Sequence, residues 1–110
     1  AVSVRAKEGR AYVYVRPDQY SFRVHGPSRT VECGIERLKI SPVRDFFHAI
    51  TPKQAVRHWL EAQAFCPGFF RSPGIYEVVP RLDLVYSGKN VELEALTGTV
   101  VGSPTLVKLY

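Results

Sequence analysis

The sequence predicts an α+β domain: a mainly antiparallel, curved sheet or partial barrel, with two consecutive helices inserted between N-terminal and C-terminal strands. Three observations carry this prediction. Residues 10–25 alternate apolar and polar side chains with the period of two that a half-buried strand requires. Between Ser41 and Phe65 the apolar spacing changes to three and four, and two successive runs open with Ser-Pro and Thr-Pro. From Ile75 to Tyr110 strand patterning returns.

The elements follow in order. Residues 2–6 form a weak first strand, set off by Glu8-Gly9. The second, residues 10–16, points Ala11, Val13 and Val15 one way and Arg10, Tyr12, Tyr14 and Arg16 the other. In the third, residues 20–25, Tyr20, Phe22 and Val24 alternate with Ser21, Arg23 and His25. Pro17-Asp18-Gln19 reads as a turn, so strands two and three are expected to form a hairpin. RTVECGIERLKI at 29–40 is a longer strand with a bulge expected at Gly34.

Ser41-Pro42 then starts a short helix to residue 50, with Val43, Phe46, Phe47 and Ile50 on one face. Thr51-Pro52-Lys53-Gln54 offers a capping box for a second helix reaching Ala64 or Phe65, which would bury Trp59 and Leu60 and expose an Arg57–Glu61 pair. Pro67 and Gly68 end it, and CPGFFRSPG at 66–74 is an irregular connection around Phe69 and Phe70. Residues 75–86 read as one strand interrupted by Pro80. Ser87-Gly88-Lys89-Asn90 turns the chain, VELEAL at 91–96 returns, and TLVKLY at 105–110 closes the sheet.

A chain of 110 residues fits a single domain, residues 1–110, and needs no metal or disulfide to hold its core. With 45% hydrophobic residues it belongs with folded rather than disordered sequences, and no apolar run is long enough to span a membrane. Residues 1–21 lack the pattern of a signal peptide, and Cys33 and Cys66 read as two buried thiols in a reducing compartment. The expected location is therefore cytoplasmic or otherwise intracellular. The absence of Met, with a single Asn and three Gln, leans toward proteins of hot environments.

The net charge of +5 lies wholly in the first half: residues 1–55 hold ten basic against five acidic side chains, and residues 56–110 five of each. A polyanionic partner follows as an expectation. The best candidate interface is the predicted hairpin, where Tyr12 and Tyr14 offer stacking surfaces and Arg10, Arg16, Arg23 and Arg29 neutralise phosphates. Single-stranded DNA or RNA fits this pattern better than a duplex. Two structural tyrosines packed under a helix are the plainer reading of the same residues.

The alternative function is a non-catalytic interaction or assembly module, a homodimer or a subunit, built on the apolar terminal strand and on Phe69 and Phe70. A third choice is a divalent-metal nuclease. It would pair Tyr86 with Val91 and so set Asp83 opposite Glu94 with Glu92 nearby, although a solvated polar face explains these carboxylates as well. The histidines and cysteines show no metal-ligand spacing, and no cofactor motif is present.

Overall fold

At Pro17 the chain does not fold back on itself; it crosses from one sheet into another. The computed structural model describes residues 2–37 and 43–110. In chain order the elements are β1 (Val2–Val4), β2 (Ala11–Tyr14), β3 (Tyr20–His25), β4 (Thr30–Gly34), β5 (Phe47–Ile50), β6 (Val56–His58), α1 (Ala62–Phe65), β7 (Gly74–Leu84), β8 (Gly98–Val101) and β9 (Thr105–Leu109). They form two two-stranded sheets, β1–β6 and β2–β5, and one five-stranded sheet ordered β4-β3-β7-β8 with β9 also on β7. All named strand pairs are antiparallel.

The architecture is a mixed α/β fold with one short helix and an open sheet. It corrects the expectation of a partial barrel and two consecutive helices. The predicted hairpin is also absent, because a one-turn 3-10 segment at Pro17–Gln19 leads β2, already paired to β5, into β3, which pairs with β4 and β7.

Both helix expectations failed for identifiable reasons. The first run becomes a 3-10 turn at Arg44–Phe46 and then β5, with Phe47 opposite Tyr14 and Ile50 opposite Ala11. Its Ser41-Pro42 start lies outside the described residues. In the second, Thr51 does cap, but it caps a turn: Thr51 Oγ1 accepts from the Lys53 and Gln54 amides at 3.2 and 2.9 Å, and Thr51 N donates to Gln54 O. Serine and threonine make such bonds at turns as readily as at helix starts. Val56–His58 then pairs with β1, and only Ala62–Phe65 is helical. Isolated short helices gain little over coil, whereas β1 and β2 each require a strand to satisfy their backbone.

The core lies on the inner face of the large sheet. Tyr20, Phe22 and Val24 of β3 and Tyr76, Val78, Leu82 and Leu84 of β7 meet Phe65, Cys66 and Phe69 from the helix and its following loop. Val13 and Ile50 from the β2–β5 sheet, and Val15 just beyond β2, join them. Burying each large apolar side chain contributes about 1.5–3 kcal/mol.

The eleven-residue β7 keeps Pro80 in its interior, and the neighbouring edge shows how. Arg81 pairs with Val101 and Val78 with Thr105, so Val79 and Pro80 face three residues, Gly102, Ser103 and Pro104. Gly102 N donates to Pro80 O at 2.8 Å, which places the proline's missing donor on the side of this bulge. The expected interruption thus falls on the neighbour rather than on β7. Residues 91–96 are not a strand: Gly88, at φ +81°, starts a 3-10 turn over Lys89–Val91, and Leu93 N and Ala95 N bond back to Gly88 O and Ser87 O.

Cys33 and Cys66 form a disulfide, with their Cα atoms 5.4 Å apart. This corrects the reading of two reduced thiols. The bridge ties β4 to the end of α1.

Candidate functional site

The six residues of the expected Arg/Tyr face do not share a surface. Tyr14 is only 1% exposed, with its ring among those of Phe46, Phe47 and Tyr86 at centroid distances of 6.3, 5.3 and 4.6 Å. Val13 and Tyr14 at the end of β2, and Val15 just after it, are consecutive buried residues, so both faces of the chain there meet protein. Alternation in the sequence therefore did not mark a wet face at Tyr14, and its place as a stacking platform is corrected to interior packing.

Tyr12 is half-buried. Arg10 covers it, with the guanidinium 5.3 Å from the ring centroid and Nη2 donating to Tyr12 Oη at 3.1 Å. Arg16 lies 4.7 Å over the Phe46 ring, Arg23 pairs with Glu32 at 3.2 Å on the outer face of the large sheet, and Arg29 stacks 5.1 Å over Phe69. Each of the four arginines thus has its own local partner, on separate parts of the fold.

The acidic cluster is dispersed as well. Asp83 stands opposite Thr99, not Glu94. Its partial burial acts to raise the carboxyl pKa, but hydrogen bonds from Thr99, Arg81 and Arg37 outweigh it and hold the group below the ordinary carboxylate value. Two guanidinium groups already neutralise this carboxylate. Among the described residues no group of three or more His, Cys, Asp or Glu is placed to hold a metal ion.

Sequence patterning marked the terminal strand as an apolar edge but missed β8, which extends that edge. The strands β8 and β9 run end to end on the side of β7 away from β3, and among the described residues no strand pairs with their outer edge. Val101 is 64% exposed and Leu106 69%, and Val100, Val107 and Ile75 are open to solvent too. On the inner side, an apolar hollow of about 350 Å³ lies between Phe70, Ala62 and the β9 residues Val107 and Leu109. Trp59, expected in the core, is 81% exposed just beyond β6. The signal available in the sequence was TLVKLY itself, apolar with one charge.

No protein family, curated protein or solved structure matches this chain. Function therefore rests on the geometry of these surfaces. No helix among the described residues is long and apolar enough to cross a membrane.

The two remaining titratable features lie at the junction of sheets. Burial pushes the Tyr20 hydroxyl up to about 12, and its oxygen is 3.3 Å from His58 Nδ1. Burial, then the charge of His48, lowers the His58 pKa. A neutral His58 can accept the Tyr20 proton in this contact.

Proposed function

We propose that this domain is a non-catalytic protein-interaction or assembly module that receives a partner's strand along the β8–β9 edge. The supporting observation is that edge: unpaired backbone groups lie between apolar side chains on both faces, among them Val100, Val101, Leu106 and Val107. Such an edge is a template for another chain, and only Pro104 and Lys108 blunt it here. The accessible surface is 7510 Å², whereas a monomer of this mass is expected to expose about 6,100 Å². The excess of about 1,400 Å² is larger than the roughly 800 Å² that one partner contributes to a standard contact and falls within the per-partner share of larger, obligate interfaces.

A second copy of the chain is the simplest occupant. Antiparallel self-pairing centred on Val107 sets Lys108 beside Leu106 of the other copy, so like charges do not face each other. Sedimentation analysis across micromolar concentrations tests this, with salt-insensitive dimerisation expected and loss of the dimer in Leu106→Pro, because the amide of Leu106 faces outward while that of Val107 faces β7. A chain that stays monomeric at high concentration counts against it.

A single-stranded nucleic acid is the second reading, favoured by Arg10 over Tyr12 and the net charge of +5. Oligonucleotide affinity that falls with salt and drops in Tyr12→Ala would support it. As to location, the Cys33–Cys66 bridge favours an oxidising compartment over the intracellular one that the cysteine count suggested.

A further inference from the structure

We propose that the hollow between the Gly26–Arg29 turn and the loop after α1 binds a phosphate group on Arg29 and Arg71. The hollow has a volume of about 240 Å³ and is lined by both arginines, Ser28, Ser72, Phe69 and Tyr76 among others, with no carboxylate in its wall. That volume is below the range of pockets for drug-sized ligands and suits one small anion.

The two guanidinium groups are positioned without an ion pair among the described residues. Arg29 rests 5.1 Å over the Phe69 ring. Arg71 packs on Gly68, where a methyl group would stand 3.1 Å from Nη2. Three other arginines have their charge engaged by a carboxylate: Arg23 by Glu32, and Arg37 and Arg81 by Asp83. Two planar forks and two serine hydroxyls around one hollow match the oxygens of a phosphate, which a guanidinium binds through paired N–H donors. The anion also relieves the repulsion of two like charges.

The walls are held in place. A Cβ on Gly74, whose φ is +144°, would approach Pro27 Cγ to 2.5 Å, and one on Gly26 would come within 3.0 Å of the Tyr76 ring, so these glycines let the two loops close on each other. Gly26 N donates to Arg29 O at 2.9 Å, and Tyr76 Oη donates to Ser72 O at 2.7 Å. At the start of the loop Cys66 is anchored to Cys33. Ordering achieved before binding lowers the cost of association. This site is separate from the β8–β9 edge and does not depend on it.

The test is a titration of the ¹⁵N-labelled protein at low ionic strength with inorganic phosphate and, separately, methyl phosphate, followed by NMR. Saturable shifts confined to residues 26–29 and 68–76 are expected. Arg29→Gln and Arg71→Gln should each weaken binding by about tenfold, while Arg23→Gln leaves it unchanged. Arg71→Lys keeps the charge but loses the fork and should fall in between. Both arginines are exposed, and the dispersion of the same spectra shows that each variant is folded. Tighter binding of inorganic phosphate identifies the free ion as the ligand; equal or tighter binding of methyl phosphate identifies a phosphate ester. Shifts that never saturate with either probe, or affinity untouched by both glutamine variants, overturn the proposal.

Discussion

The Tyr20 hydroxyl lies 3.3 Å from His58 Nδ1, and this contact joins the five-stranded sheet to the β1–β6 pair. The rings also meet edge to face, with centroids 5.7 Å apart. A buried phenol with its pKa near 12 stays protonated over the whole working range, so the contact depends on the charge of the histidine.

Stability should accordingly depend on His58. Its pKa in the fold is below the ordinary 6.5, so between those two values the unfolded chain binds more protons than the native one. The stabilisation is complete above pH 6.5 and is lost as pH falls through the lowered native value. Urea midpoints measured from pH 7.5 to 5 should show this decline, and His58→Gln should flatten it. An equal slope in the variant would assign the effect elsewhere.

Reduction of Cys33–Cys66 removes a cross-link between residues 33 apart in sequence. Chain-entropy arguments put its contribution at about 3–4 kcal/mol. Unfolding free energies from denaturant titrations with and without reductant should differ by that amount, and the double Cys→Ser variant should match the reduced protein. Alkylation of unreduced protein should leave both cysteines unlabelled.

Tyr14 and Tyr12 should behave differently on truncation. Tyr14→Ala removes a ring enclosed by Phe46, Phe47 and Tyr86 and is expected to cost about 3–5 kcal/mol, as for other buried aromatics. Tyr12→Ala, at a half-buried position, should cost clearly less. Similar losses measured by calorimetry would contradict the interior placement of Tyr14.

Asp83 serves as the anchor of a polar cluster on β7. Asp83→Ala leaves Arg37, Arg81 and Thr99 without their shared acceptor, but all three are exposed to water, and a loss of about 1 kcal/mol or less is expected. Because the native carboxyl pKa is depressed, its stabilising effect is present above the ordinary value of 3.8 and fades as pH falls through the native value. The difference between wild type and variant should therefore be smaller at pH 2 than at pH 6.

Local patterning located several strands without help from long-range contacts. The alternation at Tyr20–His25, the β-branched run at the start of the 29–40 segment and the TLVKL segment all became strands. The turn at Pro17-Asp18-Gln19 and the irregular loop around Phe69 and Phe70 also stand where proline and glycine place them. Helix and strand could not be separated at 43–65, because apolar spacing over so few residues fits an amphipathic helix and a strand buried on both faces equally well.

The candidate interface was legible only as a list of residue types. Side chains of one strand alternate whatever surrounds them, but whether Tyr14 meets water depends on Phe46, Phe47 and Tyr86, more than thirty residues away in sequence. Partner choice likewise depends on long-range pairing: β2 took β5 rather than β3, Cys33 took Cys66, and Asp83 took Arg37 and Thr99. Sequence by itself determined that segments such as Tyr20–His25 and Thr105–Leu109 extend, that the chain turns at Pro17-Asp18-Gln19 and how its charge divides, since these follow from each residue's own torsional preferences and ionisation. Tertiary structure decided which faces are covered, which cysteines meet and which arginines keep their charge unpaired, because those outcomes arise from distant groups competing for the same contacts.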